Sequence, residues 1–262
     1  MRYGFIVLLI CSALGQEAPW TPFNDPLNRR QPEPTSTIDV RHYAISLEID
    51  DQNPNREIKG RATIDLATTA ETGTIDLDAV DMKIGEVTGG DSKPLKFTLK
   101  DEKLAIDLGR NAPKGTEVKL TITYTGRPTS GLYFIEPEKA YPKRPWMIWS
   151  QGETEYNHHW FPCYDHPNDR ATSELFLKVR DKYRTISNGK LVESVAADGW
   201  RQDYWKMDIP HAAYLTSIVV GAFDVMQDEV EGASSKVPVA YYVPSGWHTE
   251  EEIRNTFKRT PE

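Results

Sequence analysis

Carboxylates, imidazoles, an amide and aromatic rings crowd into one stretch of the chain, Trp149-Ser-Gln-Gly-Glu-Thr-Glu-Tyr-Asn-His-His-Trp-Phe-Pro-Cys-Tyr-Asp-His-Pro-Asn-Asp-Arg170. The run is too polar, and too broken by Pro162 and Pro167, to be ordinary core. If Gln151 to Glu155 is extended, side chains alternate, and Gln151, Glu153 and Glu155 share one face. An amide carbonyl and two carboxylates on one surface form a receptor for a cationic amine. A carboxylate meeting an ammonium makes a charge-assisted hydrogen bond, and the amide oxygen accepts a second. The plainer alternative is that Gln151 and Glu153 only decorate a strand edge.

His158, His159, Asp165, His166 and Asp169 follow closely and raise a metal as another reading. Zinc sites usually pair histidines at spacings that set both on one face, as in H-E-x-x-H on a helix; that motif is absent from all 262 residues. Adjacent His158 and His159 point in different directions on any regular element, so these histidines are expected to satisfy local carbonyls and carboxylates. Nucleophilic catalysis has less support still. There is no G-x-S-x-G elbow, and Cys163 beside Pro162 has no helix N-terminus to lower its pKa, which predicts a buried packing residue. Gly89-Gly90 has neither a P-loop nor a dinucleotide context. Glu153 with Glu155 as a glycosidase pair competes with the common occurrence of two nearby acids on a wet strand.

The elements that must position these groups read mostly as strands. Tyr43, Ile45, Leu47 and Ile49 alternate with polar residues, as do Ala62, Ile64 and Leu66, then Val118, Leu120, Ile122 and Tyr124. Shorter segments at Ile75-Leu77, Phe97-Leu99 and Leu104-Leu108 fit between turn signals, and Leu175-Val179, Thr185-Asn188, Trp200-Ile209, the apolar run Tyr214-Phe223 and Val237-Val243 follow the polar cluster. Many short strands without helical stretches between them predict an all-β fold of antiparallel sheets, a sandwich or saddle rather than a parallel sheet. The single helix signal is Glu250 to Lys258, capped by Thr249 with acidic residues in its first turn.

A chain of this length holds one large domain or two small ones, and 39% hydrophobic with 27% charged residues is ordinary globular composition. With 39 acidic and 31 basic residues the formal net charge is -8, and no basic stripe interleaves with aromatics, so nucleic acid is not an expected partner. Arg2, the apolar Phe5 to Ala13 and the small residues of Ala13-Leu14-Gly15 predict a signal peptide over 1–15, hence a secreted or periplasmic protein. That run is too short to span a bilayer, which takes roughly 20 residues, and no transmembrane helix is expected elsewhere. Cys11 as a lipoprotein acylation site is opposed by the bulky Ile10 before it; with the signal removed, Cys163 is alone and no intrachain disulfide can form. Residues 16–36 hold five prolines and read as a linker or a strap.

Gln151-Gly-Glu153, followed by Trp160-Phe-Pro-Cys-Tyr-Asp-His-Pro-Asn-Asp-Arg-Ala171, resembles the N-terminal domain of the aminopeptidase N family of zinc metallopeptidases (peptidase family M1), in which a Gln-x-Glu precedes a Phe-Pro-Cys-x-Asp-x-Pro segment. The likeness extends in register: Asp39-Val-Arg-His-Tyr43 with Ile45 and Leu47, Ile58-Lys-Gly60, Gly131-Leu-Tyr133, Ser187-Asn-Gly189 with Leu191, and Tyr214-Leu-Thr-Ser with Val220-Gly-Ala-Phe223. It covers about Ile38 to Glu262, and its specificity lies in the ordered set. The resemblance implies a saddle-like antiparallel β-domain packed on a thermolysin-like domain that holds zinc. It also implies that Gln151 and Glu153 line the specificity pocket and help bind the free N-terminus of a peptide substrate, while Glu155 has no such role. His158 stands where the family often has Arg, and His166 where it often has an acidic residue, which leaves substrate preference open.

The family's Gly-x-Met-x-Asn segment, H-E-x-x-H ligands and downstream zinc-binding Glu are absent from this sequence. They imply a β-domain over 37–242 and, over 243–262, the start of a truncated catalytic domain, since Arg259-Thr-Pro-Glu262 resembles such a start. On that reading the chain holds no catalytic residue and no cofactor; zinc belongs to the companion catalytic domain, and without zinc-bound water and its general base there is no route to peptide hydrolysis. The rival expectation is an autonomous extracellular β-sandwich used for binding or scaffolding, with the polar cluster as its contact patch.

Overall fold

The computed structural model describes residues 36–232 and 235–260. The expected signal segment, Cys11 and all but the last residue of the proline-rich stretch lie outside the described residues. The strands are β1 (Ile38–Ile49), β2 (Ile58–Thr68), β3 (Thr72–Asp78), β4 (Met82–Gly89), β5 (Lys96–Lys100), β6 (Lys103–Ala112), β7 (Glu117–Gly126) and β8 (Leu132–Ile135). They continue with β9 (Met147–Ser150), β10 (Ala171–Arg180), β11 (Arg184–Ser187), β12 (Lys190–Ala197), β13 (Trp200–His211), β14 (Ile218–Gly221), β15 (Phe223–Glu231) and β16 (Lys236–Pro244). Among the described residues the one α-helix is α1 (Glu250–Phe257).

The all-β expectation holds. A seven-stranded sheet runs β12-β13-β10-β1-β2-β7-β4, a four-stranded sheet β11-β14-β9-β8, a three-stranded sheet β3-β6-β5, and β15 pairs with β16. Period-2 alternation drives the packing: Tyr43, Ile45, Leu47 and Ile49 of β1 and Leu175, Leu177 and Val179 of β10 are buried while their neighbours are wetter. They share one core with Ile75, Leu77, Leu104 and Ile106 of the three-stranded sheet and Ile148, Ile218 and Val220 of the four-stranded sheet. Each such side chain, fully buried, contributes roughly 1.5–3 kcal/mol.

Two expectations need correction. The sheets are not wholly antiparallel: β1 and β10 pair parallel, from His42 opposite Thr172 to Glu48 opposite Lys178. Alternation declares which face of a strand is buried, not the direction of its neighbour, and the long excursion through β2 to β9 brings the chain back beside β1 in the same sense. Nor is Tyr214-Phe223 one strand. A 3-10 turn at Ala213–Leu215 precedes the short β14, because Asn157 takes up the carbonyls of Ala213 and Thr216.

The last elements form their own small core. Met226, Tyr241, Val243 and Ile253 pack together, with Val239 and Phe257 against them, so the β15–β16 hairpin and α1 hold one another. The Thr249 side chain accepts from the Glu252 amide while the Glu252 carboxylate accepts from the Thr249 amide, the capping box that starts α1. Val243, the expected start of a second domain, lies inside β16.

Candidate amine-recognition site

Gln151 continues β9 by one step, its backbone N–H donating to the Gly131 carbonyl at 2.9 Å. Beyond it the chain turns. Residues 153–156 form a turn closed by the Tyr156 N–H on the Gly152 carbonyl at 2.8 Å, and Asn157–His159 follow as a 3-10 turn. Gln151, Glu153 and Glu155 are all exposed, yet they do not share a strand face. The expected extended segment is thus corrected to a turn, and the cause is tertiary. A Cβ on the buried Gly152 would collide with the Tyr214 carbonyl oxygen and stand 2.5 Å from Asn157 Oδ1, so only glycine lets the chain pass there.

Asn157 is the anchor of this turn. Fully buried, it donates through Nδ2 to the carbonyls of Ala213 at 2.6 Å and Thr216 at 2.8 Å, and accepts through Oδ1 from the Trp160 indole N–H at 2.8 Å. Trp160 and Phe161 are themselves completely buried, and the Trp160 carbonyl accepts from the Tyr124 hydroxyl at 2.8 Å. Gly131, at φ 71°, lies so close beneath the Tyr156 carbonyl that a Cβ there would clash. A backbone anchored by these contacts therefore presents Gln151 and Glu153. Neither of their side chains has a hydrogen bond or ion pair among the described residues.

The imidazoles are held apart from any common ligand. His158 Nδ1 lies 3.0 Å from Asp165 Oδ2, which also accepts from the His158 backbone N–H at 3.1 Å. Burial disfavours the charged ring of His158, but the hydrogen bond and charge of Asp165 outweigh it and raise its pKa. His159 Nδ1 sits 2.8 Å from Asp81 Oδ2, which also accepts from the Thr129 hydroxyl and N–H. Burial opposes the Asp81 charge, yet Thr129 and His159 keep its carboxyl below the usual range. The expectation that His158 and His159 point apart is corrected: in the 3-10 turn their rings stack, with centroids 4.8 Å apart. Each ring is nevertheless claimed by a different carboxylate.

Among the described residues no group of three or more His, Cys, Asp or Glu side chains gathers as a metal site, so these residues do not fit zinc. Cys163 is completely buried, and its backbone exchanges hydrogen bonds with Asp78. Burial pushes its thiol pKa well up, and Asp165 and Asp78 add to that. A cavity of about 810 Å³ lies elsewhere, under Gly89 and Gly90 and beside Leu108, Arg110 and Val118, and no residue of the polar cluster lines it. Reading the sequence missed Asn157, Asp81 and Gly131. For Asn157 the available signal was an amide set three residues before a tryptophan, in a segment otherwise bound for the core.

Residues 40–215 match the family model described as the peptidase M1 N-terminal domain. "Probable aminopeptidase 1" of Sulfurisphaera tokodaii is 26% identical over 193 residues, covering 73% of this chain and 23% of that protein. "Transcription initiation factor TFIID subunit 2" of Gallus gallus is 26% identical over 161 residues, covering 60% of this chain and 14% of that protein. In fold, the M1 zinc metallopeptidase of Deinococcus radiodurans matches with a TM-score of 0.68 at 19% identity, over 85% of this chain and 52% of that one. The chain thus spans less than a quarter of the length of these two curated relatives. With about two thirds of its residues inside the family model and the matching fold, the chain belongs to the peptidase M1 N-terminal domain family.

Proposed function

We propose that this domain supplies the amine-recognition edge of a secreted zinc aminopeptidase, with Glu153 and Gln151 gripping the free α-ammonium of a peptide substrate. The observation that carries the reading is the contrast at the site. Two acceptor side chains stand exposed and unpartnered on a backbone that Gly131, Gly152 and Asn157 lock in place. A backbone anchored in this way spares the cost of ordering the loop when a cation binds. Fixing the ammonium fixes the register of the peptide, so that the bond after one residue meets the catalytic groups. Hydrolysis itself falls to a companion domain, since nothing in the described polar cluster fits zinc. The relatives named as aminopeptidases, which are several times longer than the matched segment, support such a companion.

The test is kinetic, in the full-length enzyme that carries this domain. Glu153→Ala is expected to lower kcat/KM for peptides with a free N-terminus about 10- to 100-fold, the worth of one hydrogen bond to a charged group. Residual turnover of N-acetylated peptides should not change. Equal losses on both substrates would contradict the reading. One observation favours a second reading, an interaction module within a larger chain: relatives that match part of this chain include a subunit of a transcription initiation factor in two organisms. A partner retained equally by wild type and by Glu153→Ala, with no enzyme activity in the full-length protein, would favour that alternative.

A further inference from the structure

Beside the amine receptor the four-stranded sheet carries an aromatic shelf. Its two faces differ: Leu132, Ile148, Ile218 and Val220 are buried on one, while Tyr133, Trp149 and Val219 point to the wetter side. Tyr133 stands directly opposite Trp149, and the two rings stack with centroids 4.9 Å apart. Val219 flanks Trp149 on the other strand. Trp149 remains 37% exposed although it sits between two paired strands. By strand alternation Gln151 follows two residues on, on the same face, and its ladder partner is Gly131, against which the Tyr156 carbonyl packs. Two strand residues span roughly 7 Å, about the reach of a leucyl or phenylalanyl side chain from its own ammonium.

We infer that the stacked Tyr133–Trp149 pair is the side-chain subsite of this amine receptor and selects peptides whose N-terminal residue is large and apolar or aromatic. The inference rests on Gln151 and Glu153 binding the ammonium. Rings of this kind offer large, rigid contact area, and offset stacking on a third ring adds to simple burial.

The test is a titration of the full chain with L-phenylalaninamide, L-alaninamide and 3-phenylpropanamide, followed by the backbone and indole N–H resonances in nuclear magnetic resonance spectra. L-phenylalaninamide is expected to bind roughly fivefold or more tighter than L-alaninamide and to shift the Trp149 indole signal. Trp149→Ala should abolish the preference, its dispersed backbone amide resonances reporting that the variant is folded; Tyr133→Leu should weaken the preference in the same sense. An undiminished preference in both variants, or none in wild type while L-alaninamide still binds, overturns the subsite and leaves the amine receptor standing. 3-Phenylpropanamide, which lacks the amine, binding as tightly as L-phenylalaninamide, or no binding of either amino acid amide, overturns both.

Discussion

Asn157 Nδ2 stands 2.6 Å from the carbonyl oxygen of Ala213, tying the turn that carries Glu153 to the segment that leads into β14. The contact joins two irregular stretches 56 residues apart, neither of which has a strand ladder to hold it. Asn157→Ala would leave the Thr216 carbonyl and the Trp160 indole N–H buried without their partners, and would leave the Ala213 carbonyl with only the Thr216 N–H. A loss of roughly 2–4 kcal/mol in unfolding free energy is expected from chemical denaturation, with Asn157→Asp also costly because it keeps the acceptor and loses both donors. A change below about 0.5 kcal/mol would contradict the anchoring role.

Two groups should make stability fall as pH rises. Burial raises the Asp169 carboxyl to about 6, opposed by the Val40 N–H that it accepts at 3.1 Å and reinforced by the nearby Asp39. The folded chain thus holds a proton that the unfolded chain has lost, and stability declines from about pH 4, the ordinary aspartate value, to about pH 6. His158 contributes stability that is fully present below its ordinary pKa of about 6.5 and lost as pH climbs through the raised folded value. Asp81, Glu48 and Asp50 are held below their ordinary values and act in the opposite sense at acid pH, so the informative quantity is the difference between variants. Asp169→Asn should gain on wild type between pH 4 and 6 and then run parallel to it; His158→Gln should differ most below pH 6.5. Flat differences across that range, measured by urea titration at each pH, would contradict the assignment.

Cys163 should be chemically silent in the native chain. It is wholly buried, and burial together with Asp165 and Asp78 raises its thiol pKa, so little thiolate exists and none is accessible. Iodoacetamide is expected to label it only at the rate of unfolding, with full labelling in urea. Rapid native labelling would mean that the Asp78–Cys163 bridge opens readily.

These sites show where local sequence speaks and where it does not. The alternation of Tyr43, Ile45, Leu47 and Ile49 reads directly as β1, because burying one face is a local pattern. Thr249 with Glu252 reads as the start of α1 for the same reason, since a capping box spans only four residues. By contrast β12 is exposed along its whole length and shows no alternation, and β15 is too polar to announce itself. The parallel partner of β1 is chosen by the path of the chain. At the site, residue types pointed to Gln151 and Glu153 as amine acceptors, but not to the turn that displays them. That turn depends on Gly152 meeting the Tyr214 carbonyl and on Asn157 finding Ala213 and Thr216, contacts made across more than fifty residues. Asp81 was invisible for a like reason: its imidazole partner, His159, lies 78 residues away.

The most direct measurement compares L-leucinamide with 4-methylpentanamide, its analogue without the amine, titrated into wild type and Glu153→Gln and followed by the amide resonances of residues 151–156. Wild type should bind only the amine, and Glu153→Gln, which keeps the shape and removes the charge, should weaken that binding by about tenfold or more. Equal binding of the two ligands, or an affinity for L-leucinamide that survives Glu153→Gln unchanged, would contradict amine recognition by this domain.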